Sequence, residues 1–303
     1  MWAKRYSTSR RPYFTYLISR LWRLLPIFLL ADLLTLAVDR LIKAPITQAT
    51  SIFDKLHFAV AHTLILGYTS LYVLPLVPAW SLDLEMQFYL VLPLLVWLVM
   101  RIRNPFLLLL TAGSISLASA FCFGKEALSS HLIYFAAGIT AASFKWRPAP
   151  KLVMAATSLD VLFIAVCLLC PAFGLPLMEP SLGPWQLSGP QSNNVIALLA
   201  IPYALFSTGQ PGGSSDRALG DLSYVVYLLH WPGIILCTAY GGAGLHRRIY
   251  MWAVWLAVYA FSMMIWKIYD LPLNNLRARW VRRRTRSPET RSLETSSLEI
   301  GIA

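Results

Sequence analysis

The sequence predicts an all-α protein, a polytopic bundle of about eight transmembrane helices with one re-entrant or interfacial segment. Three observations predict it. Hydrophobic residues make up 57% of the 303 residues. Charged residues make up only 13%, against roughly 25% in soluble domains. The apolar residues also gather into runs of about 17–22, the length that a ~30 Å hydrocarbon core requires of a helix. So much apolar surface cannot hide in one core. Backbone groups in lipid must bond internally, so runs of this length are helices.

The expected spans, in order, are 24–42, 84–100, 105–123, 129–146, 152–172, 193–210, 221–240 and 248–269. The first follows a basic segment, Met1 to Arg23. A secretory signal has this order, but no small-residue cleavage site follows, and the run ends in Asp39, Arg40 and Lys43. It reads as a retained span. A further apolar stretch, 56–78, carries His57, His62, Tyr68, Tyr72, Pro75 and Pro78. Charge placement decides how it is read. With the basic N-terminus in the cytoplasm and 56–78 not crossing, Arg101, Arg103, Lys145, Arg147, Lys151, Arg217 and the Arg-rich tail all fall inside. If the stretch crosses, all of them move outside. The positive-inside rule therefore favours a re-entrant or interfacial segment. His246-Arg247-Arg248 is the exception and lands outside, as do the mutually offsetting Lys125 and Glu126.

The net charge is +12. In a soluble protein that would suggest nucleic acid. Here the basic residues cluster at 4–23 and 277–291 beside apolar segments, the positive-inside pattern reinforced by anionic lipid headgroups. No basic stripe with interleaved stacking aromatics lies outside the apolar runs, so membrane lipids are expected as partners and nucleic acid is not. Cys122, Cys167, Cys170 and Cys237 all sit in apolar stretches and read as small packing residues. Cys167 and Cys170 have neither a second pair nor a nearby His to make a metal site. The loop 173–192, with Trp185, is too short for a soluble core. The chain from about 287 onward is rich in Ser, Thr and Glu and reads as disordered. No internal repeat supports an inverted-repeat transporter.

Three groups of residues could carry chemistry. Arg20 and Arg23, followed by Pro26, stand three apart on one helical face. They read either as snorkelling anchors or as a clamp whose guanidinium forks match phosphate oxygens. The second group is Trp80-Ser81-Leu82-Asp83-Leu84-Glu85-Met86-Gln87-Phe88-Tyr89. Ser81 as a helix cap and Asp83 on the helix dipole are accounted for by local structure. Glu85 is not. A carboxylate near hydrocarbon is expensive, so such acids usually face a cavity, an ion path or a catalytic partner. The third is Tyr224, Tyr227 and His230, recurring every three residues before Pro232 and read as one helical face. They form either an interhelical hydrogen-bond network or a pocket wall with His230 as acid, base or substrate binder. His57, His62, His131 and His246 are weaker candidates. No G-x-S-x-G, H-E-x-x-H, phosphate-cradling glycine loop or zinc spacing is present.

At these places the sequence resembles the acyltransferase 3 family of membrane acyltransferases, which includes O-antigen, exopolysaccharide and peptidoglycan O-acetylases. Arg20-Leu21-Trp22-Arg23-Leu24-Leu25-Pro26 is similar to the family's R-x-x-R-I-x-P segment. Ala79 to Tyr89 is similar to its A-W-S-L-x-x-E-x-Q-F-Y segment. Ser223, Tyr224, Tyr227, His230 and Pro232 resemble its S-Y-x-x-Y-L-x-H-x-P segment. Tyr269-Asp270-Leu271-Pro272 resembles the closing Y-x-x-x-E-x-P region, with Asp270 loosely replacing a glutamate.

The resemblance implies a domain over 1–272 and a basic, then disordered, cytoplasmic tail over 273–303. It implies transfer of an acyl group, commonly acetyl, from cytoplasmic acyl-CoA as co-substrate, with no bound cofactor or metal. The acceptor would be a hydroxyl of an extracytoplasmic cell-surface polysaccharide or lipid-linked sugar. The setting would be a bacterial inner membrane with both termini cytoplasmic. Arg20 and Arg23 would engage the donor phosphates or shape the donor entry, and Glu85, with Trp80 and Ser81, would line the site on the outer side. Glu85 and His230 would be catalytic, and Trp80, Ser81, Tyr224 and Tyr227 would line the substrate site. The family also begins with two helices upstream of R-x-x-R, the first carrying a basic residue and a catalytic His. No histidine here takes that place, so the domain is expected to be N-terminally truncated, and a mis-called start, an inactive truncation or a remodelled site would each explain it. The rival reading is a non-enzymatic transporter or a lipid- or glycan-handling protein.

Overall fold

A computed structural model describes residues 9, 11–42, 51–71, 74–102, 104–122, 128–169, 189–208, 210, 212–242 and 244–285. The described residues form helices and no strand. In chain order these are α1 (Pro12–Leu41), α2 (Ile52–Leu64), α3 (Trp80–Ile102), α4 (Pro105–Cys122), α5 (Leu132–Phe144), α6 (Pro150–Leu169), α7 (Gly189–Ser207), α8 (Ser214–Tyr240), α9 (Gly244–Ile265) and α10 (Leu271–Thr285). Most of the expected 173–192 loop, Trp185 included, lies outside the described residues. So do Lys125, Glu126, Arg103, Cys170 and the tail from 287.

Four described helical stretches are long and apolar enough to cross a membrane by length and composition: Pro12–Leu41, Val77–Ile102, Ser215–Tyr240 and Arg248–Thr285. Pro105–Ser119, Leu128–Phe144 and Val195–Ser207 are apolar but shorter. The expected count of eight is thus not reached among the described residues. Large apolar side chains such as Leu33, Leu94, Trp252 and Leu256 are exposed along the long helices, as lipid-facing positions are in a bundle whose solvent is hydrocarbon.

The chain divides into two compact units, one of residues 1–90 and 215–303 and one of 91–214. In the second, Asn104 opens α4. Its Oδ1 accepts from the backbone N–H groups of Phe106 at 3.0 Å and Leu107 at 3.2 Å, and Pro105 takes the first helical position, where a missing N–H costs nothing. Ser116 Oγ on α4 accepts from the N–H of Ile133 at 3.0 Å, which ties the start of α5 to α4.

The first unit holds every predicted site residue. α1 begins earlier than the apolar run alone suggests, so Arg20 and Arg23 lie well inside a 30-residue helix rather than at its mouth. α2 opens with a capping box: Ser51 Oγ accepts from the N–H of Phe53, and the Asp54 carboxylate accepts from the N–H of Ser51. Its 13 residues rise about 20 Å, short of the ~30 Å hydrocarbon thickness. It ends where Ile65 and Gly67 take positive φ, 55° and 73°. At Gly67 a Cβ would also lie 3.0 Å from His57 Nε2, so the turn needs glycine on two counts.

Two buried carboxylates hold the turn in place. Asp83, 0% exposed, accepts from the N–H of Gly67 and of Thr69, each at 2.9 Å. It also accepts from the Thr69 hydroxyl at 2.7 Å and from Gln87 Nε2 at 2.9 Å. Asp83 is therefore a staple for the 67–69 turn, not merely an acid on the helix dipole. Asp32, in the middle of α1, lies 3.3 Å from His62 Nε2 and accepts from the Tyr68 hydroxyl at 3.4 Å. The Tyr68 oxygen in turn accepts from the N–H of Leu76 at 2.8 Å. His62 and His57 are thus structural: His57 Nε2 lies 2.8 Å from the Gly67 carbonyl.

α9 runs into α10 through a π-turn, Trp266–Asp270. Pro272 has no N–H to continue an α-helical ladder and its ring crowds the carbonyl four residues back. The wider turn, with the N–H of Leu271 donating to the Trp266 carbonyl, absorbs both problems and leaves Asp270 buried at 5% exposure. α8 meets α9 closely at Gly233, where a Cβ would lie 2.7 Å from a Val258 methyl and 3.2 Å from a Val254 methyl.

Two outcomes are expected. Asp83→Ala leaves the Gly67 and Thr69 amides unpaired in a buried place and lowers stability by about 3 kcal/mol, read as a fall in the melting midpoint of detergent-solubilised protein. Gly233→Leu pushes on two stiff β-branched side chains and costs about 2 kcal/mol or more, whereas Gly138→Leu, where nothing lies within 4 Å of an added Cβ, leaves the midpoint nearly unchanged.

Candidate functional site

The site grows from the faces of α1, α3 and α8 in the first unit. On α1, Tyr16, Arg20 and Arg23 stand at i, i+4 and i+7, one face of a helix. On α3, Ser81, Glu85 and Tyr89 repeat every fourth residue and share another. Contacts run in opposite order along the two helices: the Tyr13 hydroxyl donates to the Leu90 carbonyl at 2.8 Å, and the Tyr16 and Tyr89 rings meet edge to face at 5.8 Å. α1 and α3 are therefore antiparallel, which sets the arginines of one beside the Glu85 end of the other.

At the centre, the Tyr89 hydroxyl donates to the Glu85 carboxylate one turn earlier. The Arg20 guanidinium lies over two rings, 5.1 Å from the centroid of Tyr89 and 5.4 Å from that of Tyr16. Such a cation is held by the ring quadrupoles without being neutralised. Arg20 Nε is buried with no hydrogen-bond partner, and among the described residues Arg20 forms no ion pair. Arg23 differs: its Nη2 lies 3.7 Å from Asp221 Oδ1 at the start of α8. Tyr224 completes the group. Its hydroxyl donates to the Leu24 carbonyl at 2.8 Å, and Glu85, Asp270, Arg23 and Tyr89 are the charged and phenolic groups in its electrostatic reach. Asp270 accepts from Asn274 Nδ2 at 2.8 Å, with Asp221, Arg23 and Arg277 nearby.

A second polar group lies at the start of α3 and further along α8. Ser81 does not cap α3, because a 3-10 turn over Val77–Ala79 precedes the helix. Its hydroxyl donates to the Pro78 carbonyl at 3.1 Å and pairs with the Tyr227 hydroxyl at 2.9 Å, which also reaches Pro78 at 3.0 Å. Trp231 Nε1 donates to the Pro75 carbonyl at 3.0 Å. Trp80, at the head of α3, is 38% exposed.

Tyr224, Tyr227 and His230 do not share one face. Each step of three residues falls about 60° short of a full turn at 3.6 residues per turn, so six residues rotate the stripe by roughly 120°. Tyr224 accordingly turns to α1, Tyr227 to the start of α3, and His230 to α9, where it stacks 6.1 Å from Trp255. His230 Nδ1 is engaged with the Tyr227 carbonyl. Glu85 and His230, predicted to be catalytic together, thus have separate partners. His131 ends a 3-10 turn in the second unit, and His246 is exposed. Among the described residues no cluster of three His, Cys, Asp or Glu is suited to a metal.

Several contributors were not singled out from sequence. Tyr89 stood in plain sight four residues after Glu85, the spacing at which helical side chains meet. Asp32 stood in the middle of an apolar run, where an acid always needs a partner. Tyr16 and Asp221 carried no comparable signal, since their part follows from which helices pack together.

A family model described as an acyltransferase domain matches residues 1–269. No curated protein and no solved structure matches the chain. The matched stretch takes in every residue of the Arg20–Tyr89–Glu85 group as well as the four long apolar segments up to the π-turn, and the chain belongs to the acyltransferase 3 family.

Proposed function

We propose that the protein transfers an acyl group, acetyl by expectation, from cytoplasmic acyl-CoA to a hydroxyl of an extracytoplasmic carbohydrate, either a cell-surface polysaccharide or a lipid-linked sugar. The observation that carries this reading is a cation and a carboxylate held one tyrosine apart without neutralising each other. Arg20, with an unpartnered N–H, is suited to an anionic donor. Glu85 is suited to accept a proton from an attacking hydroxyl. The hydroxyl oxygen forms the new C–O bond at the thioester carbonyl, the C–S bond breaks, and the proton taken by Glu85 passes to the departing CoA sulfur. Holding both reactants in line supplies much of the rate, and a positioned base typically adds about 10²–10⁴-fold.

In this reading Arg20 and Arg23 take the phosphates of the donor, the guanidinium fork matching their oxygens. Tyr224, within electrostatic reach of both Arg23 and Glu85, lines the passage from donor to base in this reading. Trp80, Ser81 and Tyr227 line the acceptor side. His230, held on the Tyr227 carbonyl, belongs with them and not with proton transfer at Glu85. The reading puts both termini on the cytoplasmic side of a bacterial inner membrane; Arg277, Arg279, Arg282, Arg283 and Arg284 on α10 support that side for their own end of the chain by the positive-inside rule.

The test is acetyl-CoA-dependent labelling of membrane carbohydrate by the full gene product in vesicles. Glu85→Ala is expected to lower kcat by at least about 100-fold. Arg23→Ala is expected to raise KM for the donor by roughly 10- to 100-fold, the equivalent of one charge-assisted contact, with both variants reaching the membrane at wild-type levels. A Glu85→Ala protein that transfers acyl groups at the normal rate overturns the assignment. Substrate translocation without consumption of acyl-CoA overturns the enzymatic reading itself.

A further inference from the structure

We propose that Tyr89 is a positioning residue that keeps Arg20 and Glu85 from forming an ion pair, so that each stays available to its own substrate. The proposal rests on the acyltransferase reading for its chemistry, although its physical core, the separation of the two charges, can be tested without any turnover.

The geometry has three parts. Tyr89 is 8% exposed, and its ring is fixed edge to face against Tyr16. One face of that ring lies under the Arg20 guanidinium at 5.1 Å. Its hydroxyl is directed along α3 to the Glu85 carboxylate. A single side chain therefore touches the cation with its π-face and the anion with its O–H. Both contacts stabilise the charges they meet, and neither cancels them.

Two opposite charges that approach in a poorly solvated place gain strongly by pairing directly. A direct Arg20–Glu85 bridge would be the lower-energy arrangement if nothing stood between them. It would also be useless for transfer, because it would fill the carboxylate lone pairs that must accept a proton and the guanidinium N–H groups that must meet the donor. The ring stands in the way of that approach, and the guanidinium instead lies over two aromatic rings, which attract a cation without using its hydrogen-bond donors. The unpartnered Nε of Arg20 is the visible consequence. On the other side, a phenol is a far weaker acid than a carboxyl group. It therefore donates to Glu85 without protonating it, and it leaves the second carboxylate oxygen open.

The two halves of this role separate by substitution. Tyr89→Phe keeps the ring and removes the O–H. Its kcat is expected to fall about tenfold while KM for acetyl-CoA stays within twofold. Tyr89→Leu removes the barrier as well, and KM for acetyl-CoA is expected to rise at least tenfold with a further loss in kcat. A merely structural tyrosine would move both constants alike in the two variants, or neither. The separation of the charges is read independently from a double-mutant cycle of Arg20→Gln and Glu85→Gln on the melting midpoint. The coupling between the two is expected to be small in the Tyr89 protein, where they share only the ring, and clearly larger in the Tyr89→Leu protein, where the pair has formed. Should Tyr89→Leu fail to fold, the same cycle is run in Tyr89→Met, which also removes the ring. A coupling that does not grow when the ring is removed overturns the proposal. If the unmodified protein shows no acyl transfer yet the coupling grows on loss of the ring, the acyltransferase reading fails while the shielding by Tyr89 stands.

Discussion

An ionised group taken out of water must be met by another group, and the first unit is arranged around meeting its charges in different ways. Asp83 is saturated by the four donors of a turn and its own helix. Asp32 is met by a histidine and a phenol. Arg23 is met by Asp221 across two helices. Arg20 and Glu85 alone are met through a shared aromatic ring. The two aspartates are met by groups that build structure, and Arg23 keeps guanidinium donors beyond its one ion pair. The fourth arrangement also leaves capacity over, and that remainder marks a site.

The structural charges make the functional ones possible. α3 is carried to its place by the 67–69 turn, which Asp83 grips, and that turn needs Gly67 at positive φ. The turn in turn rests on α1 through Tyr68 and Asp32. α1 is therefore anchored at two places, near Asp32 to the segment that leads into α3 and through the Tyr13–Leu90 bond to α3 itself. Between the two anchors lie Tyr16, Arg20 and Arg23. Their register against Glu85 and Tyr89 is set by bonds at both ends, so the geometry of the charged centre does not depend on weak aromatic contacts alone. This is the support that a precise site needs from the groups around it.

The π-turn before Pro272 plays the same part at the other end. Without it, the helix carrying Asp270 would either break or turn that carboxylate elsewhere. With it, Asp270 is buried near Arg23 and Asp221 and is held by Asn274.

Much of this protein was legible in its residues. The apolar runs determined an all-helical integral membrane protein, because hydrocarbon admits no other backbone that such runs could form. The segments around Arg20, Glu85 and Tyr224 determined the family. Spacing within one helix was readable too, since Glu85 and Tyr89 stand one turn apart whatever surrounds them. What only the tertiary structure decided was how charges on different helices are partnered. Arg20 and Arg23 look equivalent along α1, yet one lies over two tyrosine rings and the other is paired with Asp221. Tyr224 and His230 look like one stripe, yet they turn about 120° apart and serve different neighbours. Local sequence sets the pitch and polarity of a helix, while the azimuth at which it meets the next one is set by packing among residues far apart in the chain. Whether a buried charge is consumed by structure or left free for chemistry depends on that azimuth.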